Sequence, residues 1–172
     1  TALGHYLAVQ PGPDFMSATL RSTDIMMVKG ETHRANQQLN DIRARYPSQA
    51  ERLFLMESEL LVKHQYLDAA ENLLTDALNQ KPGSANLLYA RAMVNEKRDY
   101  LELTEIDLRS ILKYDPNNAM VLNALGYTLA DRTDRYQEAY ELISQALNVT
   151  PDEPSIIDSM GWVQYRMGNY EE

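Results

Sequence analysis

The fold is decided by residues 122–151, which read LNALGYTLADRTDRYQEAYELISQALNVTP. The apolar and small positions of the second half of this stretch are spaced as i, i+4, i+7 and i+8, which is one face of a helix. They are Ala139, Ile143, Ala146 and Leu147. Pro151 follows and ends that helix. A first helix precedes it and carries Gly126. The stretch therefore predicts two helices joined by a short turn.

Prolines repeat the same unit along the chain. They are separated by 36, 35, 34 and 35 residues and stand at Pro11, Pro47, Pro82, Pro116 and Pro151. A period near 34 residues indicates a stacked array of helical hairpins, which has no single compact core. Twelve residues before the last four prolines the chain has a small residue, namely Ala35, Ala70, Thr104 and Ala139. We expect helices to approach closely at these positions.

The first helix of each unit has its own small residue, with an apolar residue four positions earlier. The small residues are Ser58, Ala92, Gly126 and Gly161, and the apolar ones are Phe54, Leu88, Leu122 and Ile157. Gly126 and Ala139 are predicted to bring their two helices into close contact. The predicted helices are 2–10, 17–28, 31–45, 51–63, 67–80, 85–98, 101–114, 118–131, 135–148 and 154–167.

These motifs resemble the tetratricopeptide repeat, or TPR, over residues 16–172. The resemblance rests on Leu125-Gly126 and Met160-Gly161, on Tyr136 with Ala139, and on the ending Ala146-Leu147 before Pro151. The tryptophan that the family has near the start of its first helix is replaced here by Phe, Leu or Ile. The resemblance implies an all-α, right-handed superhelical solenoid of antiparallel helix pairs.

The predicted domain organisation is a single array that is a fragment of a longer chain. Its parts are the end of a preceding repeat (1–15), a degenerate repeat (16–50), three repeats (51–84, 85–118 and 119–153) and a truncated repeat (154–172). The last helix is expected to expose an apolar face that includes Met160 and Val163. Such a face usually finds cover, so self-association through the truncated ends is expected.

The charge, hydropathy and residue content of the chain argue against several classes of function. A net charge of −9 and a pI near 4.8 argue against nucleic-acid binding, because phosphate contacts require clustered Lys and Arg. No apolar run approaches the length of a membrane span, so direct membrane insertion is not expected. His5, His33 and His64 lack the spacing of metal ligands, and no phosphate loop or activated nucleophile is present. We predict that the chain is not an enzyme and binds no metal or cofactor.

The TPR resemblance implies that the first helices line the concave groove of the array. The candidate protein-binding residues are Leu55, Glu59, Tyr89, Met93, Glu96, Asn123, Tyr127, Asp158, Trp162 and Tyr165. Aromatic and Met side chains are well suited to such contacts. The alternative for each residue is simple packing against the next helix. Glu59, Glu96 and Asp158 would repel a carboxylate, so the expected partner is an apolar or mildly basic segment.

The predicted function is a non-enzymatic scaffold or adaptor that binds a protein or peptide segment. The alternative is a structural spacer within a larger protein, without a ligand of its own. The last repeats, with the wording GWVQYRMGNYEE, are similar to large TPR lipoproteins of the Gram-negative outer membrane. That resemblance implies a location on the periplasmic side and a role in presenting substrates to a processing protease.

Overall fold

The computed structural model describes residues 1–7 and 14–169, and this part of the chain is helical without any strand. The helices are α1 (Ala2–Leu7), α2 (Phe15–Val28), α3 (Thr32–Arg45), α4 (Ala50–Lys63), α5 (Leu67–Gln80), α6 (Ala85–Lys97), α7 (Leu101–Leu112), α8 (Ala119–Arg132), α9 (Tyr136–Val149) and α10 (Pro154–Met167). A short 3-10 helix, Pro47–Gln49, precedes α4. The predicted bounds agree with these to within about two residues, as is usual at helix ends. Residues 8–10 of the predicted first helix lie outside the described part.

The chain divides into two compact units, Thr1–Pro82 and Gly83–Glu172. Unit 1 holds α1 to α5, and unit 2 holds α6 to α10. Within each unit consecutive helices pack on one another, and α10 also packs on α8. Short connections link α4 to α5, α6 to α7 and α8 to α9, so each pair folds back as an antiparallel hairpin. The all-α, TPR-type fold predicted from the sequence is confirmed.

Each unit is held together by the apolar faces that the repeat pattern predicts. In unit 1 the most deeply buried leucines are Leu39, Leu53 and Leu74. In unit 2 the corresponding side chains are Leu108, Leu122, Leu125, Ile143 and Val163. Each of these side chains contributes about 1.5–3 kcal/mol when it is fully withdrawn from water. The core of the array is thus distributed along the helix pairs.

The small residues of the second helices lie where helices meet. They have a solvent exposure of 0% in every case: Ala35, Ala70, Thr104 and Ala139. The predicted close contact at Gly126 is also present. A Cβ atom added to Gly126 would lie 2.6 Å from Ile143 Cγ1 and 3.0 Å from the backbone oxygen of Ala139. A larger residue at Gly126 therefore requires a shift of α9 or a rotation of the Ile143 side chain.

The degenerate first helix of the array follows the same rule with different residues. Thr23 on α2 is 0% exposed and stands twelve residues before Ala35. Ser58 precedes Ala70 by the same interval. The Thr23 hydroxyl donates a hydrogen bond to the backbone oxygen of Thr19 at 2.8 Å. Thr23 thus takes the place that a small residue has in the other first helices, although it is neither glycine nor alanine.

The turns after α4 and α6, and the residue after α10, have a left-handed backbone conformation. Gln65 and Asp99 have φ angles of 64° and 66°, and Gly168 occupies the same place after α10 with φ of 84°. The next amide closes the turn in each case, as when Tyr66 N donates to Leu61 O at 2.8 Å. This is a Schellman-type helix ending, in which glycine is the unstrained choice.

The expected exposure of the last helix is wrong for Val163, which is 0% exposed. The reason is that α10 packs on both α8 and α9 within unit 2, so its valine face is already covered. Met160 is partly buried. The large apolar residues that α10 exposes are Ile157 at 51% and Tyr165 at 56%. Self-association through the ends stays a prediction, and it no longer has Val163 as its support.

Two ion pairs are buried between neighbouring helices. Arg91 on α6 donates from Nε and Nη2 to both carboxylate oxygens of Asp107 on α7, at 2.9 and 2.8 Å. Arg43 on α3 pairs with Glu57 on α4, whose side chain is 3% exposed. Burial raises the pKa of Glu57, and the Arg43 hydrogen bond opposes that rise. Each carboxylate depends on its arginine, because an unpaired buried charge is costly.

Candidate protein-binding surface

Unit 2 brings together eight of the predicted binding residues on the first helices of its repeats. They are Tyr89, Met93 and Glu96 on α6, Asn123 and Tyr127 on α8, and Asp158, Trp162 and Tyr165 on α10. Within each helix they are three or four residues apart, so they share one helical face. All eight line one or both of two cavities, which we call the α6–α8 cavity and the α8–α10 cavity.

The α6–α8 cavity has a volume of about 580 Å³ and opens to solvent. Its walls come from α6, from α8 and from the chain that leads into α10. The lining residues are Tyr89, Met93, Glu96, Ala119, Met120, Asn123, Ala124, Tyr127, Thr128, Thr150, Glu153, Ser155 and Ile156. The sequence analysis missed Met120 and Glu153. Met120 stands three residues before Asn123 on the same helical face, and that spacing is a signal which finds it.

The α8–α10 cavity is a shallower depression of about 580 Å³. It is lined by Tyr127, Ile157, Asp158, Gly161, Trp162 and Tyr165. Tyr127 lines both cavities, so the two are neighbours that share a side chain of α8. We refer to the two together as the α6–α8–α10 surface. Ile157, the apolar residue four positions before Gly161, is 51% exposed here.

Aromatic side chains of this surface are exposed to solvent and held in place. Tyr127 and Tyr165 are 40% and 56% exposed. The Trp162 ring stacks on Tyr165 with a centroid distance of 5.6 Å and an angle of 22°. Arg166 lies 5.6 Å over the Trp162 ring and donates to Tyr136 Oη at 2.9 Å and to Asp131 O at 3.1 Å. Such fixed aromatic rings offer contact area at a low entropic cost.

The charge on this surface is acidic. Carboxylates enter at Glu96, Glu153 and Asp158, and no Lys or Arg is among the residues that line either cavity. The pKa of Tyr89 is raised, mainly by burial and further by the negative charge of Glu96. The surface therefore combines aromatic and Met contact area with negative charge.

Two polar atoms at this surface are buried without a hydrogen-bond partner among the described residues. They are the carbonyl oxygen of Asn123, an acceptor, and the indole nitrogen of Trp162, a donor. Leaving such a group unpaired costs about 1–3 kcal/mol. Natural proteins satisfy most buried polar groups, and the exceptions concentrate at functional sites. A partner that supplied a hydrogen bond to Asn123 or Trp162 would therefore remove the free-energy cost of an unpaired polar atom.

Comparisons with known proteins identify the architecture. No family model matches the chain. The chain is similar to a TPR repeat-containing protein of Pseudomonas aeruginosa, with 47% identity over 97% of this chain and 28% of that protein. A tetratricopeptide repeat protein from Parabacteroides merdae superposes with a TM-score of 0.72 and 17% identity, covering 93% of this chain and 62% of the other. The chain has a tetratricopeptide-repeat fold.

Another TPR structure, YrrB, is described as having an unusual peptide-binding site. It matches with a TM-score of 0.64 and 16% identity, over 90% of this chain and 78% of that one. The TPR fold is generally a non-enzymatic scaffold for protein and peptide binding. The chain spans little more than a quarter of the length of its Pseudomonas relative.

The remaining predicted TPR groove residues, Leu55 and Glu59, lie on α4 in unit 1. Glu59 is exposed and lines a smaller cavity of about 360 Å³ together with Arg21, Asp24 and Lys63. Lys63 Nζ binds both carboxylate oxygens of Asp24, at 2.9 and 2.7 Å. Charges of both signs therefore line this cavity. Leu55 is half-buried and lines none of the cavities described above.

The part of the chain that the structure describes holds neither a metal-binding cluster nor a membrane-spanning helix. Within residues 1–7 and 14–169, the His, Asp and Glu side chains form no group that could hold a metal ion. In the same ranges, every helix is too short or too polar to cross a bilayer.

Proposed function

We propose that the chain is a protein-interaction module that binds a segment of a partner protein on the α6–α8–α10 surface. The observation that carries the proposal is a pair of neighbouring open cavities that share Tyr127, with aromatic rings along both. A partner segment laid across α6, α8 and α10 would contact several helices at once. Its affinity would then come from the sum of modest contacts.

Exposed aromatic rings support this proposal because the fold does not require them. Tyr165 is more than half exposed, so its burial against this chain contributes little to stability. Tyr and Trp are enriched at protein interfaces, and their truncation often costs about 2 kcal/mol or more of binding energy. The proposed anchors are Tyr89, Tyr127 and Trp162.

The test is a selection of short random peptides on the immobilised chain, followed by affinity measurements on purified variants. Tyr127→Ala should weaken the selected peptides about 30-fold, which corresponds to ~2 kcal/mol. Tyr114→Ala is the matched control, because Tyr114 is 81% exposed and lines neither cavity. Circular dichroism must show that both variants keep their helix content.

Unchanged affinity in Tyr127→Ala and in Tyr89→Ala would place the binding site elsewhere on the chain. If the selection yields no peptide that binds the parent chain, the spacer alternative becomes the better account. In that case the repeats would serve to join or separate other parts of the larger protein, and the aromatic residues would need another explanation.

A narrower form of the proposal is an adaptor that presents substrates to a periplasmic protease. It is supported by the resemblance of the last repeats to outer-membrane TPR lipoproteins, and by the bacterial relative. The experiment is in vivo crosslinking of the full-length protein, followed by identification of the captured proteins. Recovery of a processing protease together with its substrate, lost in Tyr127→Ala, is the expected result. Capture of neither would contradict the adaptor role and leave the binding function intact.

A further inference from the structure

We propose that the α6–α8 cavity is a recognition site for a cationic side chain, a lysine or an arginine of the partner segment. This inference rests on the proposed function and adds the chemical class of the residue that is recognised. The cavity walls provide the three kinds of group that such a side chain uses. These are carboxylates, aromatic faces and an apolar path for the aliphatic stem.

The carboxylates come from two different elements of the cavity wall. Glu96 belongs to α6, and Glu153 immediately precedes α10. Glu153 accepts one hydrogen bond, from Ser155 Oγ at 3.0 Å. The described residues form no salt bridge with Glu96 or with Glu153. Arg91, on the same helix as Glu96, is paired with Asp107 on α7. The two carboxylates are therefore available to a cation from outside the chain.

Uncharged groups complete the site for a cation. Tyr89 and Tyr127 line the cavity from α6 and α8, and a cation near an aromatic face is stabilised by the ring. Met93 and Met120 offer flexible apolar contact to a long aliphatic stem. The raised pKa of Tyr89 keeps its hydroxyl protonated and neutral at physiological pH. The aromatic and Met side chains thus give the cavity an uncharged wall beside its carboxylates.

Asn123 supplies an observation independent of the charges. Asn123 lines the same cavity, and its carbonyl oxygen is buried with no hydrogen-bond partner among the described residues. The terminal amide torsion of Asn is broad, so a rotation can turn this oxygen toward the cavity. There it would accept a hydrogen bond from an ammonium or guanidinium group. An anionic side chain would find the same oxygen and both carboxylates repulsive.

The experiment uses peptides obtained from the random selection described above, acetylated and amidated at their ends so that only side chains carry charge. We expect Lys or Arg to be enriched at one position. Replacement of that residue by norleucine should weaken binding at least about tenfold, since charge-assisted hydrogen bonds are lost. Exchange of Lys for Arg, and the reverse, tells which of the two cations the site prefers.

Variants of the chain then test whether the cationic side chain of the peptide binds in this cavity. Glu96→Gln should reduce affinity for the cationic peptide and leave affinity for the norleucine peptide unchanged. Glu102→Gln is the matched control, because it removes the same charge from an exposed position on α7 that lines neither cavity. It should change neither affinity. The loss of affinity caused by Glu96→Gln should persist at high salt, because the Glu96 carboxylate contacts the cation directly. A loss that came only from long-range attraction would be screened by the salt.

The outcomes separate this inference from the proposed function. Peptides that need Tyr127 but show no preference for a cation overturn the cationic site and leave the binding surface standing. A cation preference that Glu96→Gln and Glu102→Gln weaken equally also overturns it, because the effect then belongs to net charge. Peptides that are indifferent to Tyr127 overturn the proposed function itself.

Discussion

Glycine to alanine substitution at two equivalent repeat positions should have opposite effects on stability. Both Gly126 and Gly161 lie inside helices, where alanine is favoured over glycine by about 1 kcal/mol. At Gly161 a Cβ atom would meet nothing within 4 Å, so that gain should be realised in full. At Gly126 the same atom would lie 2.6 Å from Ile143 Cγ1 and 3.0 Å from the Ala139 backbone oxygen.

The magnitude at Gly126 follows from these two contacts. Overpacking of this kind costs about 1–3 kcal/mol, which exceeds the gain in helix propensity. We therefore expect Gly126→Ala to destabilise unit 2 by ~1 kcal/mol, and Gly126→Leu to do so by more. The Ala139 oxygen belongs to the backbone of α9 and cannot move aside alone. Relief must come from a shift of the helix or from rotation of Ile143.

The assay is urea unfolding followed by circular dichroism, on Gly126→Ala, Gly161→Ala and the parent chain. In an Ile143→Ala background, most of the penalty at Gly126 should disappear, because the nearest atoms are gone. The reasoning is refuted if Gly126→Ala and Gly161→Ala stabilise the chain equally. That result would mean that α8 and α9 are further apart than described.

Other consequences of the structure are directly measurable. Gln65→Gly should stabilise the chain by about 0.5–1 kcal/mol in thermal unfolding, because Gln65 has a φ of 64°; a loss would show that its side chain matters more than its backbone. Arg91→Leu should cost about 3 kcal/mol in urea unfolding, because it leaves the Asp107 carboxylate, 3% exposed, without its partner; no loss would mean that water reaches it. Hydrogen bonds from Arg135, the largest cause, lower the pKa of Glu105 from 4.5 to about 2. The stability from Glu105 is therefore present above pH 4.5 and is lost as the pH falls toward 2. Glu105→Gln should cost ~1 kcal/mol near pH 7, reduced by solvent screening of the partly exposed arginines, and progressively less in acid; a pH-independent difference would contradict this.

The sequence was sufficient for the helices and for their close contacts. The prolines and small residues recur at a regular interval because each repeat ends its second helix and brings its two helices together at equivalent positions. Gly126 is the clearest case, since a larger residue there requires a shift of α9 or a rotation of the Ile143 side chain. Thr23 shows the limit, because a threonine that bonds to its own helix takes the role that glycine or alanine has elsewhere. Thr23 is not a glycine, but its position twelve residues before Ala35 identifies it as the equivalent of the small residue in the other first helices.

Other features were beyond the sequence because they depend on which residues meet in space. The pair of Arg91 and Asp107 joins two helices, and neither residue stands at a repeated position. The left-handed turns at Gln65 and Asp99 use residues that give no conformational signal. The burial of Val163 depends on contacts of α10 with both α8 and α9. The apolar pattern of α10 alone does not tell which neighbouring helices cover each of its faces.

The residues of the α6–α8–α10 surface differ in kind from those that build the repeat. Gly126 and Ala139 are fixed by the distance between two helices, and a larger side chain at either position would force the pair apart. Tyr127 and Tyr165 meet no such demand, because they are 40% and 56% exposed. A polar residue at either position would leave the helix packing intact. Aromatic rings that the fold does not need, next to carboxylates that form no salt bridge with the described residues, are better explained by an external partner than by stability. The binding specificity of this module should therefore come from the side chains of the α6–α8–α10 surface, which helix packing does not constrain.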